Sequence, residues 1–262
     1  MILLNNILKL ALLTFMTLSC AYSKESRHFP PYKIHKIQLD YANVYIVDYK
    51  KKLLLIDSGR QKDFKKFKEY LHDLNYQLKD IQLVILTHGH EDHAGAGKLF
   101  QEEGIPIIAG LADKPLLNQG KNNTLCPTSQ LAKYMISDFQ KASFSPYEAN
   151  LYISSNKSLE LLDKFGFPII VYHVGNHTPG SLVVEIPSAK VMFLGDLARG
   201  DGPFHSQTGE IHFYLCDLHE NQEKLTKLLS SSMAETFYTG HFGPINRREV
   251  QAVIKKLEAR KK

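Results

Sequence analysis

The chain has 262 residues, 44% of them hydrophobic and 23% charged, with a formal net charge of +5. That composition belongs to a globular protein with a sizeable core and excludes a disordered or collagen-like chain. The lysines are scattered or sit in short runs (Lys50 to Lys52, Lys65-Lys66-Lys68, Lys261-Lys262) that read as solvated faces and a frayed end. No basic stripe interleaves with aromatics, so the expected partner is a small-molecule substrate and not a nucleic acid.

Residues 1–23 read as a signal peptide. Leu10 to Ser19 is an apolar run of ten residues, too short to cross a bilayer as a mature helix and suited to the apolar part of an export signal. Ser19-Cys20 resembles a bacterial lipoprotein cleavage site, which would make Cys20 a lipid anchor, although Thr17 stands where such sites usually carry Leu. The alternative is cleavage after Ala21 or Ser23. The expectation is therefore export, to the periplasm or as a membrane-anchored lipoprotein if the source is bacterial. Three cysteines support no disulfide framework. Whether Cys126 and Cys216 pair is left open.

After a short linker, His28 to Tyr32, three segments read as strands: Lys33–Leu39, Asn43–Tyr49 and Leu53–Asp57, with a hairpin turn at Lys50 to Lys52. Phe64, Phe67, Leu71 and Leu74 recur at helical spacing, so Gln61–Asn75 is a helix with one buried face. Leu83–Leu86 is a continuous apolar run, the mark of a strand covered on both faces. A helix over Ala94–Glu103 and a strand over Pro106–Ala109 follow. From Leu111 to Tyr147 the pattern loosens around one helix, Ser129–Lys141, which suggests an insertion over the working face. Strands are expected again at Leu159–Leu162, Ile169–Val174, Leu182–Ile186, Val191–Leu194 and Thr236–Thr239. Helices are expected at Leu218–Ser230 and from Arg247 onward. Alternating elements with some hairpins suit a mixed α/β architecture of two mixed sheets with helices outside.

The chemistry is concentrated at strand ends. Leu83–Leu86 runs into Thr87-His88-Gly89-His90-Glu91-Asp92-His93. Ile169–His173 leads to His177-Thr178-Pro179-Gly180-Ser181. Val191–Leu194 runs into Gly195-Asp196, and Thr236–Thr239 into Gly240-His241. Four apolar strands that deliver five histidines and two carboxylates imply a shared metal site, because such groups are costly to bury alone. Imidazole and carboxylate donors without thiolate suit zinc, manganese or iron, and seven ligands suit two ions. Histidines 28, 35, 72, 173, 205, 212 and 219 lack the strand-end context and read as surface or packing residues. His205 and Arg199 are kept as substrate contacts.

These motifs make the chain resemble the metallo-β-lactamase superfamily, whose H-x-H-x-D-H signature reads here as His88-Gly-His90-Glu-Asp92-His93. The resemblance extends to Leu55-Ile56-Asp57-Ser58-Gly59, His177-Thr-Pro-Gly-Ser, Gly195-Asp196 and Gly240-His241, in the superfamily's order. It implies a four-layer αβ/βα sandwich over residues 33–262, with the insertion at about 111–147. It also implies two divalent metal ions, zinc first and iron or manganese as alternatives. His88, His90 and His177 would hold the first ion, and Asp92, His93 and His241 the second. Asp196 would bridge them and Asp57 would orient the ligand loop. A water between ions about 3.5–4 Å apart would be the nucleophile, and Asp92 would orient it or pass a proton as the catalytic carboxylate. Asp196, where zinc β-lactamases usually carry Cys or Ser, looks more like the glyoxalase II, lactonase and phosphodiesterase branches. The terminal segment lacks the glutathione-binding helices of glyoxalase II. The implied reaction is hydrolysis of a carbonyl ester-like bond, a thioester first and a lactone next. A β-lactamase-like hydrolase and an iron-dependent persulfide dioxygenase are the alternatives.

Overall fold

A computed structural model describes residues 23–122, 125–202, 208–216 and 219–259. Cys20, His205 and all of the proposed leader except Ser23 lie outside the described residues. Ser23–Phe29 (β1), Tyr32–Leu39 (β2), Ala42–Tyr49 (β3) and Lys52–Ile56 (β4) form an antiparallel ribbon. The stretch expected as a linker is therefore the end of β1 and a hairpin turn. That strand carries no apolar alternation, because its residues are nearly all exposed and it is held chiefly by backbone pairing with β2. Lys50 and Lys51 take positive φ in the turn expected there, the conformation that two-residue hairpins require.

After helix α1 (Phe64–Asp73), Ile81–Ile85 (β5) joins β4 in parallel, and Ile107–Gly110 (β6) and Leu151–Ile153 (β7) extend the sheet in the same sense. The helix expected over Ala94–Glu103 is divided into a single turn, Glu91–Ala94, and α2 (Gly97–Glu102). The Tyr147 hydroxyl donates to the Ala94 carbonyl at 2.6 Å and closes the first turn. Two helices, α3 (Lys114–Gln119) and α4 (Gln130–Gln140), lie between β6 and β7, and Ser129 caps α4 by accepting from the Ala132 N–H.

The second sheet contains Ser158–Glu160 (β8), Ile170–His173 (β9), Leu182–Ile186 (β10) and Val191–Phe193 (β11). Its order is completed by Thr236–Tyr238 (β14) and Ile245–Asn246 (β15) at the far side of β11, which pairs in parallel with β14. Arg199–Gly200 (β12) and Gly209–Glu210 (β13) form a small separate pair. The strand expected over Leu159–Leu162 stops at Glu160, and Leu162–Phe165 is a helical turn. Helices α5 (His219–Ser231) and α6 (Arg247–Ala259) cover the outer face.

Alternation along the strands explains the layering. Leu54 and Ile56 face the second sheet in a core with Ile85, Val184 and Phe193. Leu53 and Leu55 face outward and pack with Phe67, Leu71 and Phe100 of the first helical layer. On the far side Val250, Val253, Ile254 and Leu257 of α6 join Leu225 and Leu229 of α5 against Met192 and Phe237. The i, i+3, i+4, i+7 spacing on α6 makes that face continuous. Each such side chain contributes roughly 1.5–3 kcal/mol by burial. The result is helix, sheet, sheet, helix.

The two sheets are joined at one edge by hydrogen bonds. The Leu182 N–H donates to the Thr87 carbonyl at 2.7 Å and the Asn43 N–H to the Gly240 carbonyl at 2.8 Å. Tyr45 donates through its hydroxyl to the Thr239 carbonyl at 2.6 Å. The chain segments following β4, β5, β11 and β14 meet at this edge, where α/β sheets place their ligands.

Candidate metal centre

Each apolar strand hands its polar residues to the same volume. Asp57 follows β4, His88, His90, Asp92 and His93 follow β5, Asp196 follows β11, and His241 follows β14. His177 lies on the loop between β9 and β10. All seven ligands expected from the sequence are brought together. Their donor atoms fall into overlapping sets, each within 4.8 Å: His88, His90 and His177; His88, His93 and Asp196; Asp92, His93 and His241.

The outer nitrogens of the rings are tied down. The Thr87 hydroxyl donates to Asp57 Oδ2 at 2.9 Å and sits 3.1 Å from His88 Nδ1, so that nitrogen is the donor to it. His93 Nδ1 lies 2.8 Å from Asp57 Oδ2, His177 Nδ1 2.6 Å from the Tyr214 carbonyl, and His241 Nδ1 2.8 Å from the Tyr41 carbonyl. An imidazole that donates through Nδ1 turns an unprotonated Nε2 inward, which is the tautomer a metal requires. Asp57 also accepts the Thr87 N–H at 2.7 Å. It therefore fixes the first residue of the ligand loop and one of its rings.

Asp196 occupies the middle. Its Oδ2 is 3.2 Å from His241 Nε2 and 3.5 Å from His177 Nε2, and its Oδ1 is 3.3 Å from His93 Nε2. The close approach requires Gly240, because a Cβ there would run into Asp196 Oδ1 and lie 2.8 Å from the His93 ring. Asp92 Oδ2 stands 3.4 Å from His241 Nε2 and 3.5 Å from His93 Nε2 and is the ligand carboxylate that reaches the pocket wall with partial exposure.

Electrostatics divide the centre. Burial, then His93 and His177, hold His88 well below the ordinary imidazole range. Burial takes His177 down to about 3 against the pull of Asp196. Burial acts in the same direction on His93 and His241, but Asp196 and Asp92 outweigh it and hold both above their ordinary value. Burial would raise Asp196, and His212, His241 and His93 hold it well below the usual carboxylate range. A dication takes the place of such shared protons. Among the described residues, His88 Nε2 and Asp196 Oδ1 are buried without a hydrogen bond, the condition a bound cation relieves. The donor set thus fits divalent metal.

Two residues that sequence reasoning passed over belong to this centre. His212, read as a packing histidine, is buried with Nε2 3.2 Å from Asp196 Oδ2 and forms a further donor set with His177 and Asp196. No apolar strand precedes it, so the strand-end signal is missing. Asp113, from the insertion, accepts the Gly89 N–H and the Gly180 N–H at 2.8 Å each and the Thr178 hydroxyl at 2.7 Å. It clamps the two principal ligand loops together.

His28 and His72 are exposed, and His35 and His173 are buried away from the centre, as expected of surface and packing residues. Arg199 lies over the Phe213 ring at 4.0 Å and donates to the Gly200 carbonyl. It stands behind the pocket wall and not among its lining residues.

The pocket above the donors is apolar. Tyr41, Leu125, Met135, Phe139, Phe213, Tyr214 and Phe242 surround Asp92, His212 and His241. Arg60, paired with Asp40 and Asp63, braces Tyr41 from behind at 4.8 Å. Leu125, Met135 and Phe139 come from the insertion. A disulfide between Cys126 and Cys216, 90 residues apart, joins it to the loop that carries His212, Phe213 and Tyr214.

Comparison with known proteins agrees with this geometry. A family model described as the Metallo-beta-lactamase superfamily matches residues 37–241. Probable metallo-hydrolase YqjP of Bacillus subtilis (strain 168) is 37% identical over 71 residues, 26% of this chain and 22% of that protein, so the match spans about a fifth of the relative's length. Probable metallo-hydrolase MJ0888 of Methanocaldococcus jannaschii is 26% identical over 201 residues, covering 76% of this chain and 87% of that one. Among solved structures, a metallo-β-lactamase HARLDQ-motif protein of Cronobacter sakazakii has a TM-score of 0.66 at 12% identity and covers 94% of this chain and 95% of its own, a likeness of fold. The ordered motifs, the four-layer sandwich and the family match place this chain in the metallo-β-lactamase superfamily.

Proposed function

We propose that the protein is an exported, zinc-dependent hydrolase of a carbonyl ester-like bond, a thioester first and a lactone next, working with two divalent ions. The observation that carries this reading is the position of Asp196, whose two oxygens face donors of both expected ligand sets. Nitrogen and oxygen donors without thiolate favour zinc, with manganese or iron as alternatives. When bound, two such ions polarise a carbonyl and supply an activated water as nucleophile.

The chain's own residues do the rest. Asp92 reaches the pocket and is the carboxylate placed to orient the nucleophile or move a proton to the leaving group. Asp57 holds His93 in its ligand tautomer. The aromatic walls exclude water and favour an apolar acyl or leaving group. The Cys126–Cys216 bond supports the export reading, because disulfides persist in oxidising compartments.

The test is hydrolysis by zinc-loaded protein, freed of its leader, of a glutathione thioester, an acyl-homoserine lactone and a β-lactam, each with and without chelator. Chelator-sensitive turnover of the thioester or lactone supports the proposal, and turnover of the β-lactam alone moves the protein to the lactamase reading. Silence on all three from metal-loaded protein refutes it. Oxygen consumption by the iron form with a persulfide would then assign the dioxygenase chemistry instead.

A further inference from the structure

His212 is built into the same centre as the expected ligands. Its Nδ1 lies 3.2 Å from the Tyr214 carbonyl, the oxygen that also receives His177 Nδ1, and 3.3 Å from the Tyr214 N–H, while its Nε2 lies 3.2 Å from Asp196 Oδ2. The ring has little freedom. It stands edge-on to His177 with centroids 4.8 Å apart and stacks on His241 at 5.2 Å. Its backbone is held as well, since the Thr128 hydroxyl donates to the His212 carbonyl at 2.9 Å. Cys216, four residues on, is bonded to Cys126. We infer that His212 is an eighth metal donor, acting with His177 and Asp196 on the first ion.

The inference rests on the metal reading above but adds something specific to it. His212 would then join His177 and Asp196, which form one donor group with it, on the ion held by His88, His90 and His177. It also places an imidazole where an incoming substrate oxygen would compete for the same ion, since His212 faces the pocket.

The experiment counts imidazoles. The protein is labelled with 15N in its histidine rings and loaded with 113Cd, and the 15N resonances split by cadmium are read by NMR. His88, His90, His93, His177, His241 and His212 make six coupled rings if the inference holds. Five coupled rings, with His212 identified by its disappearance in His212→Gln, overturn it while the metal reading stands. No coupling at saturating cadmium overturns both. In parallel, His212→Gln should still bind two ions but lose at least about tenfold in affinity at one of them, measured by chelator competition. An unchanged isotherm would contradict a donor role.

Discussion

Replacing Asp57 by Asn changes one atom and removes a negative charge, and the structure shows why that is damaging. The carboxylate accepts three hydrogen bonds, from the Thr87 N–H at 2.7 Å, the Thr87 hydroxyl at 2.9 Å and His93 Nδ1 at 2.8 Å. Asn has a single acceptor oxygen. If that oxygen takes the Oδ2 position, the new amide NH2 meets the Thr87 N–H, donor against donor. If it takes the Oδ1 position, His93 must move its proton to Nε2, the atom needed by the metal. Either way a buried donor loses its partner, a cost of about 1–3 kcal/mol. The backbone adds nothing, because Asp57 has φ 61° and Asn tolerates the left-handed region. Loss of a partner behind a metal-bound histidine typically weakens metal binding about 10- to 100-fold, or about 1.4–2.7 kcal/mol. Urea unfolding of metal-free protein reads the first quantity, and competition with a fluorescent zinc chelator reads the second. A variant that binds zinc within twofold of the parent would refute the role assigned to Asp57.

Asp92→Asn should lower turnover about 100-fold while metal content falls far less, and equal losses in rate and metal content would remove Asp92 from the chemistry. Breaking the Cys126–Cys216 bond, by Ser substitution at both positions, should cost about 2–5 kcal/mol and raise KM, because the bond ties the pocket rim to the loop that carries His212, Phe213 and Tyr214. A melting curve with and without reductant checks the first part and steady-state kinetics the second. His35 is held at about 4 by burial and Lys33, below the 6.5 of an exposed imidazole. The unfolded chain therefore binds more protons between these values, and the stability contributed by neutral His35 is full above pH 6.5 and lost as the pH falls toward 4. The effect is at most about 3 kcal/mol, and chelator-treated His35→Gln should show a flatter stability profile over that window. An unchanged profile would count against His35 as the titrating group.

Periodicity reveals the elements whose faces differ in polarity. Phe64, Phe67 and Leu71 mark α1, and the continuous apolar runs mark β5 and β10, because burial dictates those residues directly. The first strand escapes, since Ser23–Phe29 is exposed and its pairing depends on backbone groups that every sequence has. The ligands at strand ends are legible for the same reason that His212 and Asp113 are not. An apolar strand that runs into His or Asp is a local pattern. His212 follows a strand of two residues, and Asp113 acts on Gly89, Thr178 and Gly180, partners distant in the chain that only the folded sandwich brings near. The bond between Cys126 and Cys216, left open by spacing, is likewise a product of tertiary approach.

The clamp made by Asp113 has a consequence for how specificity can change. The segment that begins at Asp113 is pinned by that residue at one end and by Cys126 farther along, and between them Asn122 accepts the Glu91 N–H at 2.8 Å. A segment fixed at three points behaves as a replaceable cassette. Leu125, Met135 and Phe139 of the insertion line the pocket and can be exchanged while Asp113, Asn122 and Cys126 keep the ligand loops in register. Grafting a foreign rim without Asp113 would detune the imidazoles below it, even though no ligand had been touched.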